Sequence, residues 1–76
     1  MPERNDWENK AANLLKAELK RRGVTYAQLV ERLAEVGVTE DERNIRNKLS
    51  RGKFTAVFLL QCLEAVGVET LRLGAD

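Results

Sequence analysis

The chain has 76 residues, a formal net charge of +1, one cysteine and no histidine. This length predicts a single domain over residues 1–76 with one modest core, and the lone cysteine excludes an internal disulfide and fits a cytoplasmic location. The N-terminus lacks the apolar run of a signal peptide, and the longest apolar run, residues 56–60, is too short to cross a membrane.

Glycines mark the predicted ends of the helices. The triplet Gly-Val-Thr occurs at residues 23–25 and again at 37–39, and Gly-Val-Glu-Thr follows at 67–70. Glycine readily takes the left-handed conformation that ends a helix, and a threonine can accept the first free N–H group of the next helix. Three pairs have the spacing of a capping box, and they are Thr25 with Gln28, Thr39 with Glu42 and, more weakly, Asn5 with Glu8.

Apolar residues recur at helical spacing between these boundaries. The predicted helices are approximately residues 6–22, 26–36, 40–51 and 55–66. In the first two helices the expected core side chains are Trp7, Ala11, Leu14, Leu15, Leu19, Tyr26, Leu29, Val30, Leu33 and Val36. Trp7 is interpreted as a core anchor, with an exposed interface position as the alternative.

The fourth helix is apolar on nearly every side, which is typical of the centre of a core, or of a core element that also forms an oligomer interface. Cys62 lies within it and is predicted to be a small buried side chain. The tail at residues 68–73 fits either a short fifth helix or a strand. An isolated strand would need a partner, which a second subunit could supply.

The third helix carries an unusual charge pattern. Residues 43–63 contain five bases and no acid, although the rest of the chain is acidic. Ile45 and Leu49 form one narrow apolar stripe, and the remaining surface is Arg, Lys, Asn and Ser. These side chains donate to phosphates and pair with base edges, so the pattern favours nucleic-acid contact. The alternative is that the basic side chains interact favourably with the negative, C-terminal end of the helix dipole. That interaction explains Lys48 and Arg51 but not Arg43 and Arg46.

The order ELKRRGVTYAQLVERL, then a basic helix ending in RGK, then LLQCLEAVGV resembles a lambda-repressor/Cro-like helix-turn-helix domain. The resemblance covers roughly residues 14–68. It implies an all-α bundle of four to five helices in which the third helix enters the major groove of DNA. The connection between the second and third helices is about one helical turn longer than in that family. The combination of RGKF, FLLQCL and GV also resembles a bacterial family of uncharacterised function.

The residues are assigned to DNA contacts in three groups. Arg46, Asn47 and Lys48 are predicted to reach the groove or its bases, with Asn44 next. Arg43, Arg51 and Lys53 are predicted to clamp the DNA backbone. Thr25 is a helix cap that the resemblance also places near a phosphate. Tyr26 stands at a phosphate-contacting position of the resembling family, and it fits a core position equally well.

The predicted function is DNA binding by a small bacterial or phage-type transcriptional regulator. Its partner would be double-stranded DNA, and a homodimer is expected through residues 55–66 and the tail 68–73. A protein-interaction module on the same fold is the alternative. We predict no enzyme activity, cofactor or metal site, because the sequence lacks histidine, cysteine pairs and a glycine-rich phosphate loop.

Overall fold

The computed structural model describes residues 6–73, and within that range the chain forms four α-helices and no β-strand. The helices are α1 (Asp6–Arg22), α2 (Tyr26–Glu35), α3 (Glu42–Arg51) and α4 (Ala56–Ala65). The predicted all-α class and the four main helices are confirmed. The tail at residues 68–73 forms neither the short helix nor the strand that the sequence suggested. Asn5, the first member of the weakest capping pair, lies outside the described residues.

As predicted, a glycine follows the end of each of the helices α1, α2 and α4. At each end the glycine has a positive φ and the valine after it donates a backbone hydrogen bond to a leucine carbonyl five residues earlier. These bonds are Val24 to Leu19, Val38 to Leu33 and Val68 to Leu63, each at 2.9 Å. The pattern is the Schellman motif, which satisfies carbonyl groups that a helix end leaves open.

Threonines cap two of the helix starts: Thr25 as predicted, and Thr55, which was predicted to be the first residue of the fourth helix. The Thr25 hydroxyl accepts a hydrogen bond from the backbone N–H of Gln28, and the Thr55 hydroxyl accepts one from Phe58. The predicted capping box of Thr39 with Glu42 is wrong. Asp41 caps α3 instead, because its carboxylate accepts the N–H of Asn44 at 2.8 Å, and α3 therefore begins at Glu42, two residues later than predicted.

The helices surround one core in which α1 and α2 each pack against both α3 and α4. The largest side chains that are completely buried come from all four helices, and they are Leu15, Leu29, Leu33, Ile45, Leu49 and Cys62. Burial of Ile45 and Leu49 fixes the rotation of α3, since these are its only apolar side chains. The polar remainder of α3, apart from the half-buried Lys48, consequently faces outward.

Two predicted core residues are exposed. Trp7 is 77% exposed, so its interpretation as a core anchor is wrong. On α1 the buried apolar positions are Ala12, Leu15 and Leu19, and at about 100° per residue Trp7 lies roughly 80–140° around the helix from them, on a neighbouring side. Val36 is 47% exposed because α2 ends at Glu35 and Val36 forms its C-cap.

A buried acid on α1 was not predicted. Glu18 is 7% exposed and its two carboxylate oxygens each accept a 2.7 Å ion-pair contact, one from Arg21 and one from Arg22. Arg22 also donates from Nε to the carbonyl of Val66 at 3.2 Å. This network ties the C-terminal end of α1 to the C-terminal end of α4.

Candidate nucleic-acid interface

The outward surface of α3 is polar along its whole length. With Ile45 and Leu49 buried, the other described side chains of the helix are exposed except Lys48, which is half-buried. Arg43, Asn47 and Arg51 lie nearly opposite the buried stripe, and each is four residues from the next. The structure therefore brings three of the predicted DNA-contacting residues onto one exposed line.

Arg43 and Arg51 form no ion pair with any other residue in the range 6–73. Both side chains are exposed, so a ligand can reach their positive charges, which no acidic side chain of the described domain neutralises. Asn47, one turn after Arg43, is also exposed. An amide flanked by guanidinium groups offers both hydrogen-bond recognition and charge attraction to a phosphate-bearing partner.

Arg46 links the basic surface of α3 to the beginning of α2. Its guanidinium carbon lies 5.8 Å from the centroid of the Tyr26 ring, and its Nη2 lies 2.7 Å from a carboxylate oxygen of Glu42. The arginine side chain is still 57% exposed. Thr25 and Tyr26 therefore lie beside the same surface as α3, at the N-terminal end of α2 where backbone N–H groups favour anions.

Thr25 and Tyr26 also have structural roles. Thr25 and Gln28 form a reciprocal capping box in which the Gln28 side chain accepts the backbone N–H of Thr25 at 2.9 Å. Tyr26 is half-buried and packs against the core. Thr25 itself is exposed.

Asn44 is engaged at the start of α3. Its backbone N–H and its side-chain amide both donate to the Asp41 carboxylate, at 2.8 and 3.3 Å. Any base contact by this side chain would have to compete with the cap.

Lys48 is turned toward the domain rather than toward solvent. Its ammonium nitrogen lies 2.5 Å from the Glu40 carboxylate and 4.3 Å from the centroid of the Phe58 ring. The side chains are 36% exposed for Lys48 and 11% for Glu40. Lys48 thus links the connection between α2 and α3 to α4. To contact a DNA groove, Lys48 would have to break its ion pair with Glu40 and its contact with the Phe58 ring.

The turn after α3 is packed against α1. Gly52 has φ 70 and donates its N–H to the Lys48 carbonyl at 2.9 Å. A Cβ atom at this position would lie 2.3 Å from the Glu8 carbonyl oxygen. Lys53, the next residue, is exposed and its ammonium lies 3.8 Å from the Glu8 carboxylate. Arg51, the last residue of α3, and Lys53 therefore flank a glycine whose backbone lies against α1.

The thiol of Cys62, which lies near Glu40 and Lys48, has low reactivity. Burial, followed by the charge of Glu40, raises the pKa of Cys62 to about 12, and Lys48 opposes this only in part. A protonated, completely buried thiol is a poor nucleophile and a poor metal ligand. Within residues 6–73 no three His, Cys, Asp or Glu side chains gather in an arrangement that could hold a metal ion.

The sequence indicated the exposed basic residues of α3, but it did not indicate that Glu40 pairs with Lys48 or that Asp41 caps the helix. Glu40 stands eight residues before Lys48, and no spacing rule for helical ion pairs links positions that far apart. Asp41 could have been recognised as a cap, since aspartate is as good an N-cap residue as threonine.

Residues 7–71 match a family described as Domain of unknown function (DUF6471), and because this match covers most of the chain, the protein belongs to that family. No curated protein and no solved structure matches the chain. None of the helices in the described part of the chain is both long and apolar enough to span a bilayer.

Proposed function

We propose that this member of the DUF6471 family binds double-stranded DNA, with α3 placed in the major groove. The observation that carries the proposal is the exposed line of Arg43, Asn47 and Arg51, two of which are cations without an ion pair inside the described domain. The resemblance to lambda-repressor/Cro-like domains supports the same use of α2 and α3 as a helix-turn-helix, here with residues 36–41 as a longer connection.

The charges around α3 support this orientation. Glu40 is nearly buried and paired with Lys48, and Glu42 is paired with Arg46, so two of the acids near the start of α3 are already neutralised. Arg51 and Lys53 follow on a turn fixed by α1, which suits contacts to a DNA backbone whose position is set by the helical groove. Asn47 would then be the candidate for direct contact with a base edge.

Selection of bound sequences from a mixed duplex pool tests the groove assignment. We expect Asn47→Ala to relax the sequence preference of the bound pool, because it removes a base-edge contact. Arg51→Ala/Lys53→Ala should weaken all duplexes alike, because phosphates carry no sequence information. Folded protein that binds no duplex at low salt would contradict the proposal, since charge attraction is strongest there.

We further propose that the regulator is a homodimer formed through α4. Val57 and Leu60 are 62% and 64% exposed and lie three residues apart on one side of this helix. Two copies would bind two half-sites of the DNA, and the two binding free energies would roughly add. Sedimentation of wild type should show a dimer, and Leu60→Glu should give a folded monomer.

The matched control is Ala34→Glu, which adds the same carboxylate to an exposed position of α2 and should leave the dimer intact. The exposed pair on α4 also supports the second candidate function, a module that binds a different protein. A wild-type chain that sediments as a monomer at high concentration and binds no duplex would favour that candidate.

A further inference from the structure

A second basic region lies away from α3, in a cleft between α1 and the C-terminal tail. The cleft has a volume of about 840 Å³, which is within the size range of pockets that hold drug-sized ligands. One wall is α1 and the other is the tail. Its lining residues are Lys10, Asn13, Leu14, Ala17, Glu18, Arg21, Arg22, Thr70, Arg72 and Leu73.

The α1 wall is the side of the helix that faces away from the core. Lys10, Leu14, Ala17 and Arg21 recur at spacings of three and four residues, so they form one stripe. In the middle of this stripe Leu14 and Ala17 provide an apolar floor. Leu73, which is 60% exposed, adds apolar surface from the tail.

The rim of the cleft is strongly cationic. Lys10, Arg21, Arg22 and Arg72 line it, and Glu18 is the only acid among the lining residues that the structure describes. That carboxylate is 7% exposed and holds Arg21 and Arg22 at 2.7 Å each. One negative charge holds two guanidinium groups in place, so the rim keeps a positive surplus, and Lys10 and Arg72 have no ion pair within residues 6–73.

The backbone groups of the tail wall form no hydrogen bond with the backbone of any other described residue. The last backbone hydrogen bond along the described chain is the one from Val68 to Leu63, and none is formed by residues 69–73 with other described residues. Backbone N–H and C=O groups beside a cleft can pair with the main chain of an extended peptide. A small anion could accept from the N–H groups only and would leave the C=O groups unused.

We propose that this cleft binds an acidic peptide segment that also carries apolar side chains. The peptide would pair its main chain with the tail, place apolar side chains on Leu14 and Ala17, and direct its carboxylates to the cationic rim. Charge complementarity selects acidic over basic segments. This site is separate from α3, so the inference does not depend on the proposed DNA function.

The test uses a fluorescein-labelled peptide of about ten residues with alternating Glu and Leu, an extended length that spans the cleft. Its binding to the full chain is followed by fluorescence anisotropy, with an alternating Lys and Leu peptide for comparison. We expect saturable binding of the acidic peptide only. Arg21→Glu/Arg72→Glu should weaken that binding by about tenfold or more and should allow the basic peptide to bind.

The control variant Lys20→Glu/Arg32→Glu has the same net charge, and its first substitution lies in the same last turn of α1, but neither residue lines the cleft. We expect it to bind the acidic peptide as wild type does. Circular dichroism confirms that each variant is folded. Equal loss in both variants would overturn the proposal, because it would reduce the effect to general charge attraction. A folded wild type that ignores the acidic peptide at low salt would overturn it too.

Duplex titration of the same variants separates this inference from the proposed function. The cleft and control variants should bind duplex equally well, since they change the net charge by the same amount outside α3. Duplex binding that falls only in the cleft variant would contradict the separation of the two sites.

Discussion

The helix end that precedes the basic turn differs from the other three. Gly23, Gly37 and Gly67 close their helices with Schellman hydrogen bonds, and an added Cβ atom would meet no atom within 4 Å. Gly52 closes α3 with a single bond to Lys48, and its backbone lies against the backbone of Glu8 on α1. Three ends are therefore local devices, whereas the fourth is also a tertiary contact.

The contact of Gly52 with α1 fixes the backbone between the cationic residues Arg51 and Lys53. A Schellman end satisfies its own helix and leaves the following segment to other forces. The α3 end is additionally held by α1, so the turn that carries Arg51 and Lys53 moves with two helices. A surface that matches the fixed spacing of DNA phosphates needs this kind of positioning.

Substitution by alanine should destabilise the fold more at Gly52, which contacts α1, than at Gly37, which faces open space. Gly37→Ala should cost about 1–2 kcal/mol of unfolding free energy, because alanine is strained at positive φ but meets open space. Gly52→Ala has the same strain and also brings a methyl group to within 2.3 Å of the Glu8 carbonyl oxygen. We expect it to cost about 3 kcal/mol or more, since α1 and α3 must separate.

Urea denaturation followed by circular dichroism measures both values. Equal costs for Gly37→Ala and Gly52→Ala would contradict a role of the contact between Gly52 and α1 in the stability of the fold.

The ion pair of Lys48 with Glu40 should contribute more to stability than the local pair of Arg46 with Glu42 on the same helix. Lys48→Met leaves the carboxylate of Glu40, which is 11% exposed, without its partner, and should cost about 1–3 kcal/mol. Arg46→Met removes an exposed i,i+4 pair with Glu42 and should cost less than about 1 kcal/mol. Chemical denaturation of the two variants side by side gives the difference. A larger loss for Arg46→Met would contradict the assigned role of Lys48.

The smallest effect tests which residue caps α3. Asp41→Ala should cost about 1 kcal/mol, because the Asn44 N–H loses its acceptor. Thr39→Ala should change the free energy of unfolding by less than about 0.5 kcal/mol, since Thr39 is an exposed surface residue. Thermal unfolding of both variants checks the prediction, and the reverse order would restore Thr39 as the cap.

The sequence predicted what is decided locally. The Gly-Val repeats specify helix ends through bonds that reach only five residues back, and the apolar stripe of Ile45 and Leu49 specifies the rotation of α3. The exposed bases of the candidate site follow from that rotation. Fold class, helix count and most helix bounds were therefore accessible without coordinates.

The sequence could not predict what is decided by packing between distant segments. Trp7 has the spacing of a core residue with Ala11 and Leu14, yet α1 buries the neighbouring stripe instead. The contact of Gly52 with Glu8 and the pair of Lys48 with Glu40 join residues that no local pattern connects. For the same reason the cleft between α1 and the tail was not foreseen.

The proposed DNA binding through α3 is tested by measuring duplex affinity against salt concentration for wild type, Arg43→Ala and Arg32→Ala. Arg43 and Arg32 are both exposed helical arginines without an ion pair in the described domain, but Arg32 lies on α2, near its C-terminal end and away from Tyr26. We expect Arg43→Ala to weaken binding and to reduce the log-log salt slope by about 0.9, the value for one lost phosphate contact, while Arg32→Ala leaves the slope unchanged. Identical slopes for all three proteins would contradict DNA binding through α3.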